Sequence, residues 1–214
     1  MHNELILPVP VLMIHPGRIT PAFQQHKIVL QTILKDLGYP EELLLEAENK
    51  QQAKTAISEH LPNLIFFTVQ TPDDLLFIQE MKGIYPASYL VTMHEQASLP
   101  EELLTAIQLG ADAYLLSNTP AEQQFQHVKW ILRGGAILHP QLAQQLRKPL
   151  HNNPQSPSQP LLSNAEIQII QHISQTQSAA ETASALKLSE YQVYSFIKNI
   201  FRKLNRQHAQ QKRS

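Results

Sequence analysis

Ten histidines are the residues of this chain with the widest chemical use, because imidazole can ligate metals and titrate near neutral pH. No two of them stand at a close spacing such as i, i+4, which would place a pair on one helix face. The pattern therefore predicts no histidine metal site. The histidines are His2, His15, His26, His60, His94, His127, His139, His151, His172 and His208.

His15 and His94 each adjoin the end of an apolar run that we predict to be a buried strand. Doubly wound folds bind ligands at the carboxyl ends of their parallel strands. We expect both side chains near that edge of the sheet, which makes each a target for one mutant.

Other catalytic patterns are missing from the sequence. The chain has no cysteine, which excludes disulfides, thiolate catalysis and cysteine-bound zinc. Gly134 and Gly135 lack the longer glycine spacing of a phosphate-binding loop and indicate a turn. We find no nucleophile–base pair and no paired carboxylates, so the sequence predicts no enzyme, no cofactor and no metal.

A serine followed three residues later by Glu or Gln occurs three times near the carboxyl end. Such a pair satisfies the free amides of a helix start from both sides. The pairs predict helices over 164–174, 179–186 and 190–204, with a three-residue connection between the second and third that is typical of a helix-turn-helix. The pairs are Ser163 with Glu166, Ser178 with Glu181, and Ser189 with Gln192.

The third of these helices has two different faces. Its apolar stripe consists of Val193, Phe196, Ile197, Ile200 and Leu204. Its outer side carries hydrogen-bonding groups and positive charge, from Gln192, Tyr194, Ser195, Lys198 and Arg202.

The net charge is distributed unevenly along the chain, at −5 over residues 1–160 and +4 over residues 161–214. The basic end suits a polyanionic partner.

Upstream, short apolar runs alternate with segments of helical periodicity. The predicted strands are 9–14, 42–47, 63–69, 88–93 and 112–116, and the predicted helices are 22–37, 51–60, 72–84, 100–109 and 121–132. Five alternating pairs predict an α/β domain with a doubly wound parallel sheet, of the flavodoxin-like (βα)5 kind.

The boundaries follow from composition. Residues 148–161 contain four prolines and little that is apolar, which predicts a domain at 1–148, a linker at 149–160 and a helix-turn-helix domain at 161–214. The apolar residues 5–14 are interrupted by Pro8 and Pro10 and are too few to span a bilayer. We therefore expect no signal peptide and no membrane partner, with the cytoplasm as the default location.

The carboxyl-terminal segment resembles the LuxR/NarL-type DNA-binding domain along its length. The matching residues are Leu162, Glu166, Ile170, Ser178, Glu181, Ala183, Leu186, Ser189, Val193, Asn199, Ile200, Lys203 and Leu204. The resemblance implies a third helix that enters the major groove of DNA, with Tyr194, Ser195 and Lys198 facing the groove and Gln192 beside them.

By the same resemblance, the phosphate-contact candidates are Arg202, Lys203 and Arg206. The alternative is that Lys198, Arg202 and Lys203 form an ordinary solvated face and that Tyr194 is a satellite of the core.

Three departures from the family pattern weaken the implied DNA binding. Ala179 and Ala180 replace basic or polar residues early in the second helix, and Thr176 stands where glycine is common. After Asn205 the chain lacks the apolar residues of the family's fourth, dimerising helix. We therefore expect weak intrinsic DNA affinity and a need for dimerisation elsewhere or for a partner protein.

Residues 10–147 resemble the receiver domain of response regulators in layout. A working receiver holds Mg²⁺ on two acids after the first strand and on the phosphoacceptor aspartate, and it has a lysine after the fifth strand. Here those positions carry His15 and Pro16, then Thr68, then Ser117. Phosphorylation is therefore not expected. The nearby Asp73 and Asp74 are interpreted as first-turn acids of the next helix.

Two non-ligand receiver features remain, since Thr92 and Tyr114 match the switch threonine and aromatic. Packing alone can account for both side chains, and a retained switch is the alternative. The dimerisation face of receivers lies on their fourth and fifth helices, which here contain 100–104 and Trp130.

The leading hypothesis is a phosphorylation-independent transcriptional regulator that binds DNA as a homodimer through its degenerate receiver. The runner-up is an adaptor or antagonist that binds another regulatory protein and has weak DNA binding or none. An effector-sensing receiver is compatible with either hypothesis.

Overall fold

The computed structural model describes residues 10–17, 20–95, 100–152, 162–175 and 178–212. The amino-terminal half is a five-stranded parallel sheet in the order β2-β1-β3-β4-β5. Its strands are β1 (Val11–Ile14), β2 (Leu44–Ala47), β3 (Leu64–Thr68), β4 (Tyr89–His94) and β5 (Ala113–Leu116). The predicted flavodoxin-like fold is confirmed.

Nine α-helices lie within the described residues. Those of the sheet domain are α1 (Pro21–Asp36), α2 (Lys50–His60), α3 (Pro72–Ile84), α4 (Pro100–Leu109), α5 (Ala121–Leu132) and α6 (Pro140–Asn152). The carboxyl-terminal helices are α7 (Asn164–Ser174), α8 (Ala179–Leu186) and α9 (Glu190–Gln211). No helix in these ranges is long and apolar enough to cross a bilayer.

The three predicted capping pairs are confirmed at the starts of α7, α8 and α9. In each, the serine oxygen accepts from the amide of the third helical residue while that residue's side chain accepts from the serine amide. Lys187 ends α8 in the left-handed conformation, with φ of 56°, and reverses the chain into α9. Local side-chain chemistry thus sets the helix-turn-helix.

The predicted strand 42–47 begins only at Leu44, because Glu41–Leu43 form a 3-10 helix. Two other predicted boundaries differ by more residues. The predicted linker begins too early, since α6 continues to Asn152 and residues 149–152 are helical. The helix to which these residues belong packs on α7 and α4, and tertiary packing can stabilise a helix of unfavourable composition. The third helix extends beyond residue 204 to Gln211, because residues 205–211 contain no glycine or proline to end it. Residues 153–161 and Thr176 lie outside the described residues.

The apolar cores also connect the two halves. One cluster fills the space between the sheet and α2 and α3. The cluster on the other side of the sheet continues without a break through α6 into α7 and α9, where it includes Ile169, Ile200 and Phe201. The helix-turn-helix therefore lies against the sheet domain.

Candidate nucleic-acid interface

One face of α9 contacts the sheet domain. Its members are Tyr194, Lys198, Phe201 and Asn205, which stand at spacings of four, three and four residues. Such spacing aligns side chains along a single helix face. Each of the four contacts a different part of the amino-terminal domain, so the face predicted to be open toward DNA is partly covered.

Tyr194 makes the closest approach. Its ring centre lies 4.7 Å from that of Trp130 on α5. Its carbonyl oxygen accepts from the amide of Ala136 at 3.2 Å. A Cβ built on Gly135 would lie 2.9 Å from the Cβ of Tyr194, closer than carbon atoms normally approach. The absence of a side chain at Gly135 is therefore what admits Tyr194.

Lys198 is half-buried, with its Nζ 4.6 Å from the centre of the Tyr89 ring. The Tyr89 hydroxyl donates to the carbonyl oxygen of Gly135 at 2.8 Å, which fixes the ring beneath the ammonium group. Burial lowers the pKa of Lys198; Asp112 opposes this shift, and Arg202 and Lys82 add to it. The lysine thus makes a cation–π contact and lies near charges of both signs.

Phe201 and Asn205 complete the stripe. Phe201 is 1% exposed and stacks on Tyr114, with ring centres 6.1 Å apart. The Asn205 amide donates to the carbonyl oxygen of Gln108 at 2.9 Å. Phe201 is not among the residues predicted from the sequence, because its position lies outside the apolar stripe of the isolated helix. Its aromatic side chain on an otherwise polar face was the available signal.

The other residues predicted to contact DNA differ in their exposure. Arg202 and Arg206 are exposed. Gln192 is also exposed, although its side-chain oxygen accepts from the Ser189 amide in the helix cap. Ser195 is half-buried.

Lys203 is turned inward. Its Nζ lies 2.6 Å from the Oε2 atom of Glu166, a carboxylate that is 3% exposed and caps α7. The ion pair joins α9 to the start of α7. Lys203 therefore already has a structural partner in this arrangement.

The positions matched to the receiver phosphorylation site carry neutral polar groups. The His15 Nδ1 atom lies 2.8 Å from the Thr68 hydroxyl oxygen, and both side chains are buried. Burial lowers the pKa of His15 to about 4, with the charge of Lys27 as the next cause. The Ser117 amide donates to the carbonyl oxygen of His94 at 2.9 Å. Among the described residues, no group of three or more His, Asp or Glu side chains could hold a metal.

Asp73 and Asp74 follow Thr68 and lie in the first turn of α3, as interpreted from the sequence. The Asp74 Oδ2 atom accepts from the amides of Gln70 and Thr71, and its Oδ1 atom pairs with Lys50 at 2.9 Å. These bonds hold the pKa of Asp74 below its usual value in spite of burial. Asp73 lies beside it in the first turn of α3. The carboxylate of Asp74 thus caps a helix.

The two switch-like residues are neighbours on adjacent strands, since Thr92 and Tyr114 are paired in the register of β4 and β5. Both are buried, at 0% and 1% exposure. The Tyr114 hydroxyl accepts from the His139 amide at 2.9 Å. The Thr92 hydroxyl has no hydrogen-bond partner in the described part of the chain. This environment favours the packing interpretation of Thr92.

His15 and His94 follow β1 and end β4, as expected, at the carboxyl edge of the sheet. The His94 ring is fully buried and its Nδ1 atom lies 2.7 Å from the Oε1 atom of Glu102. The predicted dimer face on α4 and α5 is partly occupied within the chain. There α6 and α9 pack on α4, and Trp130 contacts Tyr194.

In this chain a sheet domain with the receiver fold is followed by a three-helix helix-turn-helix domain. Residues 160–212 match the family described as bacterial regulatory proteins, luxR family. The carboxyl-terminal domain is therefore a LuxR-family domain.

Several regulators are similar along most of the chain. The transcriptional regulatory protein DegU of Brevibacillus brevis is 23% identical over 193 residues, which cover 77% of each chain. YdfI of Bacillus subtilis, also a transcriptional regulatory protein, is 27% identical over 164 residues, covering 74% of this chain and 75% of its own.

Among solved structures, the RcsB response regulator of Salmonella typhimurium shares the fold with a TM-score of 0.53 at 12% identity. The match covers 97% of this chain and 100% of that one.

Proposed function

We propose that this protein is a phosphorylation-independent transcriptional regulator whose degenerate receiver holds the DNA-recognition helix in a closed arrangement. The observation that carries the proposal is the stripe on α9. Tyr194 and Lys198, two of the residues matched to groove-facing positions, pack on Trp130 and Tyr89 of the receiver-like domain.

This packing is incompatible with groove entry. A recognition helix reads base edges with the face that it inserts, and the major groove is only about 12 Å wide. A receiver domain on that face leaves no room for a duplex. DNA binding therefore requires α9 to separate from α4 and α5, and the fraction of open molecules reduces the apparent affinity.

Chemistry at the receiver site supports control without phosphorylation. Thr68 stands at the phosphoacceptor position, and a threonine hydroxyl does not form the acyl phosphate that an aspartate forms. Its oxygen is buried against His15, which is neutral near pH 7. Opening must then respond to something else, such as dimerisation, a partner protein or an effector. Release of α9 would also free the part of the α4 surface that α9 covers, for use in a homodimer.

The proposal is tested by DNA occupancy of the intact protein across the genome, followed by anisotropy measurements on the recovered sites at several salt concentrations. We expect Arg202→Ala to lower affinity and to reduce the salt slope by about one, because one phosphate contact is lost. Lys35→Ala is the control, since Lys35 lies exposed at the end of α1 and pairs with Glu41. Absence of any salt-sensitive site would overturn the proposal.

An adaptor that binds another regulator is the second candidate, favoured by the inward position of Tyr194, Lys198 and Lys203. It predicts a protein complex that is unchanged by Arg202→Ala. Pull-down of the intact chain and of this variant, with identification of the bound regulator, separates the two functions.

A further inference from the structure

The closed arrangement creates a cleft of about 330 Å³ between α9 and the sheet domain. Arg202, Asn205 and Arg206 line it from α9, and Lys82 and Asp112 line it from the opposite wall. The volume is at the lower end of the range for small-molecule sites, which is roughly 300–1,000 Å³. Neither domain forms this cleft alone.

Positive charge in the cleft is only partly balanced. Among the described residues that line it, only Asp112 is acidic. The Asp112 Oδ2 atom is already bonded to the Lys82 Nζ at 2.5 Å and to the Leu90 amide at 2.9 Å. Arg202 and Arg206 make no ion pair with any described residue. Two guanidinium groups one helical turn apart therefore border the cleft without a counter-charge.

The pKa of a neighbouring side chain also reflects the positive charges around the cleft. Arg202 and Lys82 both act to lower the pKa of Lys198, which lies one turn before Arg202 on α9. Cations from both domains therefore act against the charge of Lys198 across the closed interface, while Asp112 has the larger single effect in the opposite direction. An anion in the cleft would remove this repulsion and favour closure.

We propose that this cleft binds a small phosphate-bearing anion between Arg202 and Arg206 on α9 and Lys82 on α3, and that the bound anion holds the regulator closed. Guanidinium groups match phosphate oxygens with paired, charge-assisted hydrogen bonds. Asn205 adds a donor, because only one of its two N–H groups is required for the Gln108 carbonyl.

The consequence for DNA rests on the function proposed above. Arg202 and Arg206 are also the exposed candidates for DNA-phosphate contacts. A ligand that occupies both arginines and the opposite domain excludes the duplex, so the anion and DNA bind in competition. By linkage, the anion lowers DNA affinity by the same factor by which DNA lowers affinity for the anion.

Titration calorimetry on the full chain tests the site, with sodium pyrophosphate and adenosine 5′-diphosphate as probes at constant ionic strength. We expect saturable binding at one site per chain. Arg202→Gln and Arg206→Gln should each weaken it by about tenfold, as the loss of a charge-assisted contact implies. Lys212→Gln is the matched control, because it removes an exposed cation of the same helix end that does not line the cleft. Tighter binding of the nucleotide than of pyrophosphate would indicate that a base adds contacts.

The Gly135→Ala variant distinguishes anion binding in the cleft between the two domains from anion binding to the basic surface of α9 alone. This substitution forces α9 away from the sheet domain and should weaken pyrophosphate binding, whereas binding to α9 alone would be unchanged. Three results would each overturn the proposal. The first is an unchanged pyrophosphate affinity in Gly135→Ala, and the second is an equal affinity in the arginine variants and in Lys212→Gln. The third is the absence of saturable binding heat in the unmodified chain. Failure of DNA binding with normal pyrophosphate binding would overturn the proposed function and leave the cleft in place.

Discussion

Phe201 of α9 stacks on Tyr114 of β5, with 26° between the ring planes and 6.1 Å between ring centres. The contact joins the residue at the switch-aromatic position directly to the helix proposed to read DNA. Because the Tyr114 hydroxyl also accepts from the His139 amide, the ring is held on two sides.

We expect Tyr114→Phe to lower the free energy of unfolding by about 1–3 kcal/mol, because the buried His139 amide loses its acceptor while the stacked ring remains. Urea unfolding measures this change. Tyr85→Phe is the control, since its hydroxyl makes an exposed bond to Asn63 at 3.2 Å and its loss should have little effect. Equal stability losses in the two variants would contradict the assigned role of the Tyr114 hydroxyl.

Gly135→Ala is expected to open the regulator, because the new methyl group would stand 2.9 Å from the Cβ of Tyr194. Trp130 is the only tryptophan in the chain and contacts Tyr194, so its fluorescence reports separation of the two domains. We expect an emission shift to longer wavelength together with tighter DNA binding.

Gly83→Ala serves as the matched glycine control, because nothing lies within 4 Å of a Cβ at that helical position. It should change neither the emission nor DNA affinity. A Gly135→Ala protein that remained folded and kept the emission and affinity of the unmodified chain would show that closure does not limit DNA binding.

The features that could be predicted from the sequence are local. Each capping pair, such as Ser163 with Glu166, spans three residues, and the buried strands appear as continuous apolar runs. Phe201 and Lys203 could not be placed in this way. Their partners Tyr114 and Glu166 are distant in the chain, and helical periodicity describes only one packed face of α9. Domain docking depends on that second face, which a single helix pattern does not show.

Acidification should destabilise the protein through His15. Its folded-state pKa is about 4 and its ordinary value is 6.5, so between these values the unfolded chain binds a proton that the folded chain does not. The free energy of unfolding therefore falls as pH drops from 6.5 toward 4, by up to about 3 kcal/mol from this residue. Urea titrations at several pH values should show a shallower fall for His15→Gln than for the exposed control His60→Gln. Equal slopes in the two variants would indicate that another group dominates.

Incubation with a phosphoryl donor and Mg²⁺ should leave both the mass of the protein and its DNA affinity unchanged, because Thr68 stands at the position matched to the acceptor aspartate. Mass spectrometry of the intact chain measures this, with a receiver that has the acceptor aspartate as the positive control. A stable mass increase, followed by peptide mapping to the sheet domain, would show that another residue accepts the phosphoryl group.

Adjacent cations on α9 should behave differently. Lys203→Ala leaves the Glu166 carboxylate, which is 3% exposed, without its partner, so we expect a loss of about 1–3 kcal/mol in stability. Arg202→Ala removes an exposed group and should leave unfolding unchanged while reducing the salt slope of DNA binding by about one. Urea unfolding and salt-dependent anisotropy on both variants compare the two roles. A Lys203→Ala protein of unchanged stability, with a reduced salt slope of DNA binding, would contradict this assignment. It would indicate that Lys203 contacts DNA in an open form in which its ion pair with Glu166 is broken.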